Sequence, residues 1–149
     1  MHLRTRRLVP LALLPIALPL VLACGDSEPA APNTAPDVEI TTPGADIESS
    51  DPAYTYDGYD DALGLWYKDV LLEGSATDAE DGTLSDSDLV WETDRTDLQD
   101  AALGSGGSLL VRLYSDDCFG VSHNITLTAT DSEGASRDAV REVFIWTLC

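Results

Sequence analysis

The 149-residue sequence predicts an all-β fold, a β-sandwich of about seven strands. Short runs of alternating apolar and polar residues recur along the chain, and clusters of Gly, Asp and Ser separate them. No stretch shows a sustained apolar period of 3.6 residues, which would indicate an amphipathic helix. Six or seven short strands with turn residues between them are typical of two packed sheets.

The predicted strands follow one another from residue 38 to residue 146. In chain order they are marked by Val38 and Ile40; Val70, Leu72, Gly74 and Ala76; Leu89, Val90 and Trp91; residues 108–113; Ile125, Leu127 and Ala129; and residues 139–146. A further short strand is expected within residues 97–103. It would be the fourth of seven.

The first two dozen residues have the pattern of an export signal. Three arginines precede an apolar run of residues 8–22, which is short for a membrane span of ~20 residues. The run ends at Val21-Leu22-Ala23-Cys24, which resembles the lipobox of bacterial lipoproteins. That resemblance implies that residues 1–23 are removed and that Cys24 is lipidated at the cell envelope, most simply in the outer membrane or at the cell surface. The alternative is an ordinary secretory signal with a chance cysteine.

The chain is strongly acidic, with 27 Asp and Glu against eight Lys and Arg. Removal of residues 1–23 leaves five basic residues against 27 acidic ones, a formal charge of −22. Such a surface repels phosphate backbones and anionic headgroups, so neither nucleic-acid binding nor electrostatic membrane attachment is expected. Cations, basic partners or simple solubility remain as explanations.

The segment after Cys24 and the rest of the chain differ in composition. Residues 24–36 contain Pro29, Pro32 and Pro36 among small and acidic residues, which predicts an extended tether. Residues 37–149 are enough for one domain with its own core, and no convincing internal repeat is present.

With Cys24 assigned to lipid, Cys118 and Cys149 are the remaining candidates for a disulfide in an oxidising compartment. The bridge would close a loop of about 30 residues and stabilise the domain by ~3.5 kcal/mol on the chain-entropy model. The alternative is a free thiol at the end of the chain.

Four segments together resemble a known class of domain. Residues 33–36, residues 74–82, Trp91 and residues 123–134 are similar, in order and spacing, to bacterial extracellular immunoglobulin-like modules of the PKD and cadherin-like type. The resemblance covers most of residues 33–145 and implies an immunoglobulin-like sandwich. It implies no particular function, because such sandwiches have many roles.

The immunoglobulin-like topology places two groups of loops at opposite ends of the domain. The connections after the second and sixth strands share the end where the tether enters. That end gathers five carboxylates, a candidate Ca²⁺ site of weak affinity: Asp78, Glu80, Asp81, Asp131 and Glu133. The alternative is that these residues form turns or are merely solvated.

The opposite end is expected to hold an unusual insert, residues 44–69, together with the loop 114–122 and the end of the chain. Exposed aromatic residues bind sugars or protein partners, and the candidate binding surface is Tyr54, Tyr56, Tyr59 and Tyr67. The insert could instead fold across a sheet edge and bury its aromatic residues, and for Trp66 burial is expected. Trp91 and Trp146 are assigned to the core.

Catalysis finds little support in the sequence. His123 is the only histidine after residue 23 and is expected to make a structural hydrogen bond. No nucleophile elbow, phosphate loop or zinc spacing is present. The sequence therefore predicts a non-enzymatic, lipid-anchored binding or adhesion module with a protein or glycan partner, and Ca²⁺ is its one candidate cofactor. A structural accessory subunit of an envelope complex is the alternative, and a hydrolase ranks third.

Overall fold

A computed structural model describes residues 32–44 and 52–148 of the chain, and these residues form an all-β fold. Their strands make two antiparallel sheets, one of five strands and one of four. The predicted β-sandwich is therefore confirmed. In chain order the strands are β1 (Asp37–Thr42), β2 (Gly58–Asp60), β3 (Leu65–Asp78), β4 (Gly82–Thr83), β5 (Leu89–Thr93), β6 (Ala102–Ser105), β7 (Ser108–Ser115), β8 (Val121–Thr130) and β9 (Ser136–Ile145). Single 3₁₀ turns occupy Pro52–Tyr54 and Asp86–Asp88.

Strand β3 is the centre of the first sheet, because β1, β2, β4 and β7 all pair with it. The second sheet has the order β6-β5-β8-β9. The short strand expected within residues 97–103 corresponds to β6, which begins at Ala102 and pairs with β5.

The predicted insert is shorter than residues 44–69, because β3 begins at Leu65 rather than at Val70. Residues 65–69 become a strand because β2 and β7 supply pairing partners for them. On one side, residues 65–67 pair with β2. On the other side, residues 66–73 pair with β7. The pairing with β7 joins segments about 50 residues apart, so local alternation could not reveal it.

The core lies between the two sheets and is built from alternate residues of β1, β3, β5, β7, β8 and β9. Trp91 at its centre has no exposed surface, and its Nε1–H donates a 2.8 Å hydrogen bond to the Gly106 carbonyl. Its assignment to the core is confirmed. The buried apolar residues are Ile40, Val70, Leu72, Ala76, Leu89, Trp91, Val111, Leu113, Ile125, Leu127, Ala129, Val143 and Ile145.

The side chain of Gln99 covers part of the outer edge of β7. Its Oε1 accepts a 3.0 Å hydrogen bond from the Tyr114 backbone N–H, and its Nε2 donates one of 3.3 Å to the Arg112 carbonyl. An open edge is a template for pairing with another strand. Gln99 occupies two of the groups that such pairing would use.

Candidate binding site

A hairpin of β2 and β3 forms the described part of the insert, and its turn follows from the sequence 60–64. The Asp60 Oδ1 accepts the backbone N–H groups of Ala62 and Leu63 at 3.0 and 3.2 Å. Gly64 then closes the turn with φ of +72°, a left-handed conformation that favours glycine. The hairpin register places Tyr59 directly opposite Trp66.

Three aromatic rings of the insert pack together. The ring of Trp66 is stacked on Tyr56, with centroids 5.7 Å apart, and meets Tyr59 edge-on at 4.9 Å. Trp66 shares a face of β3 with the core residues Val70 and Leu72, since residues two apart on a strand lie on the same face. The cluster therefore continues the inner face of the first sheet past the hydrophobic core.

The loop between β7 and β8, residues 116–120, lies against this cluster. The Tyr56 hydroxyl donates a 2.6 Å hydrogen bond to the Asp117 carbonyl, and Ser115 Oγ donates to the same oxygen at 2.7 Å. The Phe119 backbone N–H donates to Asp117 Oδ1 at 2.8 Å. These bonds fix the loop beside the aromatic rings.

The end of the chain joins the same region. Backbone hydrogen bonds link Trp146 to Tyr54 and to Tyr56, and the Thr147 N–H donates to the Cys118 carbonyl at 3.2 Å. The insert, the Cys118 loop and the segment after β9 thus meet at one end of the sandwich, as the sequence predicted.

A cleft of about 780 Å³ opens between the aromatic cluster and the loop, and it is lined by Tyr59, Trp66, Asp116, Asp117 and Cys118. Its size falls within the range of ligand-binding pockets. Tyr59 is 47 % exposed and forms part of the accessible wall. Among the described residues, Asp116 has no hydrogen-bond or ion-pair partner.

The electrostatic character of the cleft is negative. Burial raises the pKa of the Tyr56 phenol, and the carboxylates of Asp117 and Asp116 raise it further against a hydrogen bond with Ser115. Negative charge near a phenol disfavours the phenolate, so the two carboxylates add to the effect of burial.

The four tyrosines predicted as a binding surface have different surroundings. Tyr59 lines the cleft, Tyr56 supports Trp66, and Tyr54 packs partly buried against the core. Tyr67 lies on the opposite face of β3 under Arg112, 3.9 Å from the ring centroid. Trp66, expected to be buried, is only partly buried and lines the cleft.

The sequence did not single out Asp116 and Asp117 as site residues. Two adjacent acids in an acidic chain carry no signal by themselves. The only indication was that the loop 114–122 was expected to lie near the insert.

Trp146, which the sequence assigned to the core, is partly buried.

At the opposite end, two of the five predicted Ca²⁺ ligands, Asp78 and Asp131, act as hydrogen-bond acceptors within their own turns. Asp78 Oδ1 accepts the N–H groups of Glu80 and Asp81 at 2.8 and 2.9 Å, and Asp131 Oδ1 accepts the Glu133 N–H at 2.9 Å. These bonds match the turn interpretation of the same residues.

Further bonds tie this end to the tether. Asp81 accepts the backbone N–H and hydroxyl of Ser132 at 2.8 and 2.9 Å, and Asn33 donates to Asp131 Oδ2 at 3.0 Å. The two turns and the last residues of the tether therefore meet, as predicted from the topology.

Within the described ranges, no three Asp, Glu, His or Cys side chains are arranged to hold a metal ion. One observation points the other way. Asp78 Oδ2 is buried without a hydrogen-bond partner, and the residue as a whole is 8 % exposed. A buried carboxylate oxygen without a donor is costly, so a cation or water would be favoured there.

His123 is fully buried and links the two sheets. Its Nε2 donates a 2.9 Å hydrogen bond to the Tyr114 carbonyl on β7, and its Nδ1 lies 3.0 Å from the Thr93 hydroxyl on β5. Burial lowers the pKa of His123 below its usual value. Both ring nitrogens are engaged in the structural hydrogen bonding that the sequence predicted.

The predicted lipidation site Cys24, the signal 1–23 and Cys149 lie outside the described residues. In the part of the chain that the structure describes, no helix is long and apolar enough to cross a membrane. Comparisons with protein-family models, curated proteins and solved structures found no significant match to this chain.

Proposed function

We propose that this chain is a binding module held at the bacterial envelope by a lipid on Cys24, and that it engages a protein or glycan partner through the cleft. The supporting observation is the position of the cleft. Exposed Tyr59 and Asp116, which has no hydrogen-bond or ion-pair partner among the described residues, lie at the end of the sandwich opposite Asn33. A site at that end would face away from the membrane.

A Cys118–Cys149 disulfide is part of the proposal. The hydrogen bond from Thr147 to Cys118 brings the chain to within two residues of Cys149 beside the loop. A bridge there would fasten the wall of the cleft to the chain end. The proposed action is binding rather than catalysis, and the engagement of both nitrogens of His123 supports this.

The Tyr59→Ala variant is expected to co-purify with smaller amounts of its envelope partners than the parent protein does, because the substitution removes the exposed aromatic wall of the cleft. Tyr67→Ala is the matched control, since that ring lies on the other face of the sheet. Recovery is measured by quantitative mass spectrometry of material co-purified from detergent-solubilised membranes. Equal recovery with both variants would contradict the proposed site.

The structural accessory subunit remains the second candidate, favoured by the charge of −22 in the mature chain. A broad acidic surface acting on a basic partner gives an association that weakens as salt screens it. Loss of partners at high salt, with no effect of Tyr59→Ala, would support this candidate over the cleft.

Ca²⁺ at the tether end also stays a proposal, supported by the unpaired Asp78 Oδ2. Binding there is expected to raise the Tm in millimolar Ca²⁺ relative to EDTA, since the ion would stabilise only the folded state. Mg²⁺ is the ion control, and Asp78→Asn should remove the rise. The same Tm in Ca²⁺ and EDTA would assign these carboxylates to turn formation alone.

A further inference from the structure

We infer that the cleft binds the guanidinium group of an arginine side chain presented by a protein partner. This inference rests on the proposed function and specifies its ligand. The cleft combines aromatic rings with carboxylates, and a planar cation can use both at once.

The same chemistry is already present, with its cation, on the other face of β3. The guanidinium of Arg112 lies 3.9 Å from the centroid of the Tyr67 ring. Its Nε and Nη2 donate to the two oxygens of Asp69 at 2.8 and 3.1 Å. An aromatic ring and a carboxylate thus hold an arginine on the outer face of the sheet.

The cleft repeats these two components on the inner face but lacks the cation. Trp66 is the strand neighbour of Tyr67 and lies on the opposite face of β3. It forms the wall with Tyr59, and the loop adds the carboxylates of Asp116 and Asp117. Asp117 also accepts the Phe119 N–H, whereas Asp116 has no partner among the described residues.

No basic side chain of the described residues is available to fill the cleft. Each of them is paired elsewhere: Lys68 with Asp57, Arg95 with Asp97, Arg112 with Asp69, Arg137 with Asp37, and Arg141 with the Ile40 carbonyl. The charge of Asp116 acts on Arg95 at longer range, but the two side chains form no ion pair. A cation from within this part of the chain would have to break one of these pairs. The complementary charge is therefore expected on another molecule.

Arginine fits the site better than lysine or a neutral sugar. Guanidinium stacks on aromatic faces and pairs with carboxylates through fixed donors, whereas ammonium is a compact, strongly hydrated charge. A neutral sugar can stack on Tyr59 but gains no charge attraction from Asp116. The volume of about 780 Å³ also admits a side chain with flanking backbone.

The test uses the intact protein, purified in detergent, and the blocked tripeptide acetyl-Gly-Arg-Gly-amide. NMR titration of the indole N–H signals gives the dissociation constant, with Trp66→Phe to identify its signal. The same peptide with citrulline in place of arginine is the neutral control. The same peptide with lysine in place of arginine tests whether the cleft prefers a guanidinium to an ammonium group. We expect the arginine peptide to bind about tenfold more tightly than the citrulline peptide.

Asp116→Asn is expected to weaken arginine-peptide binding about fivefold, because it removes one carboxylate charge that makes no hydrogen bond or ion pair among the described residues. Asp138→Asn changes the net charge equally on the exposed surface of β9 and should leave binding unchanged. Tyr59→Ala should also weaken binding about fivefold.

Equal affinity for the arginine and citrulline peptides, or no binding of either, would overturn the inference. So would lysine binding as tightly as arginine. If partner recovery from membranes still falls in Tyr59→Ala in those cases, the cleft binds a partner by other chemistry and the proposed function stands. If recovery is also unchanged, both proposals fail.

Discussion

Replacing Trp91 with alanine is expected to lower the free energy of unfolding by about 3–5 kcal/mol, the range for large aromatic residues removed from a core. The side chain is fully buried between the sheets, and its Nε1–H is the donor to the Gly106 carbonyl. The substitution removes the packing and leaves that carbonyl without its donor. The total free energy of unfolding of most domains is only about 5–15 kcal/mol, so the variant should be close to unfolding.

Urea denaturation followed by far-ultraviolet circular dichroism measures this loss. Trp91→Phe is the matched control, because it keeps a large ring and loses only the hydrogen bond and part of the volume. We expect the phenylalanine variant to lose about 1–3 kcal/mol. An alanine variant within 1 kcal/mol of the parent would show that Trp91 is not the centre of the core.

Alanine at Gly74 is the second change with a large expected effect, a loss of about 1–3 kcal/mol from overpacking. A Cβ at this position would lie 2.5 Å from Leu127 Cδ2, 2.8 Å from the Glu39 carbonyl oxygen and 3.1 Å from Trp91 Cη2. The leucine methyl can shift only within a packed core. The carbonyl belongs to β1, so the pairing of β1 with β3 has to move as well.

The same urea experiment tests Gly74→Ala, with Gly44→Ala as the control. A Cβ at Gly44 meets nothing within 4 Å, so that substitution should change the free energy of unfolding by less than about 0.5 kcal/mol. Equal stability of the two variants would contradict the close approach of the sheets at Gly74.

The strands that the sequence predicted are those in which burial alternates. In β5 the buried Leu89, Trp91 and Thr93 alternate with exposed Val90 and Glu92, and β8 shows the same pattern. A half-buried strand imposes this period of two on its own residues, so a short window contains the signal.

The first five residues of β3 have no such period. Residues 65–69 are all partly buried, since this end of the strand lies beyond the core and its environment comes from β2 and the loop after β7. The contact between Tyr56 and Asp117 joins residues 61 positions apart. Tertiary contacts of that kind determine which residues line the cleft. Asp116 and Asp117 therefore could not be predicted from the local sequence pattern.

The length of β3 has a mechanical consequence. The strand begins at the cleft, beside Trp66, and ends at Asp78 near the tether, while β1 follows the tether directly. If the protein is lipid-anchored as proposed, a partner pulling on the cleft would load the β1–β3 ladder along the strands. Hydrogen bonds in an antiparallel ladder run perpendicular to the strands, so the five registered pairs from Asp37↔Thr77 to Thr42↔Glu73 would share that load in shear. Rupture would then require sliding the whole ladder at once, a geometry suited to holding under tension.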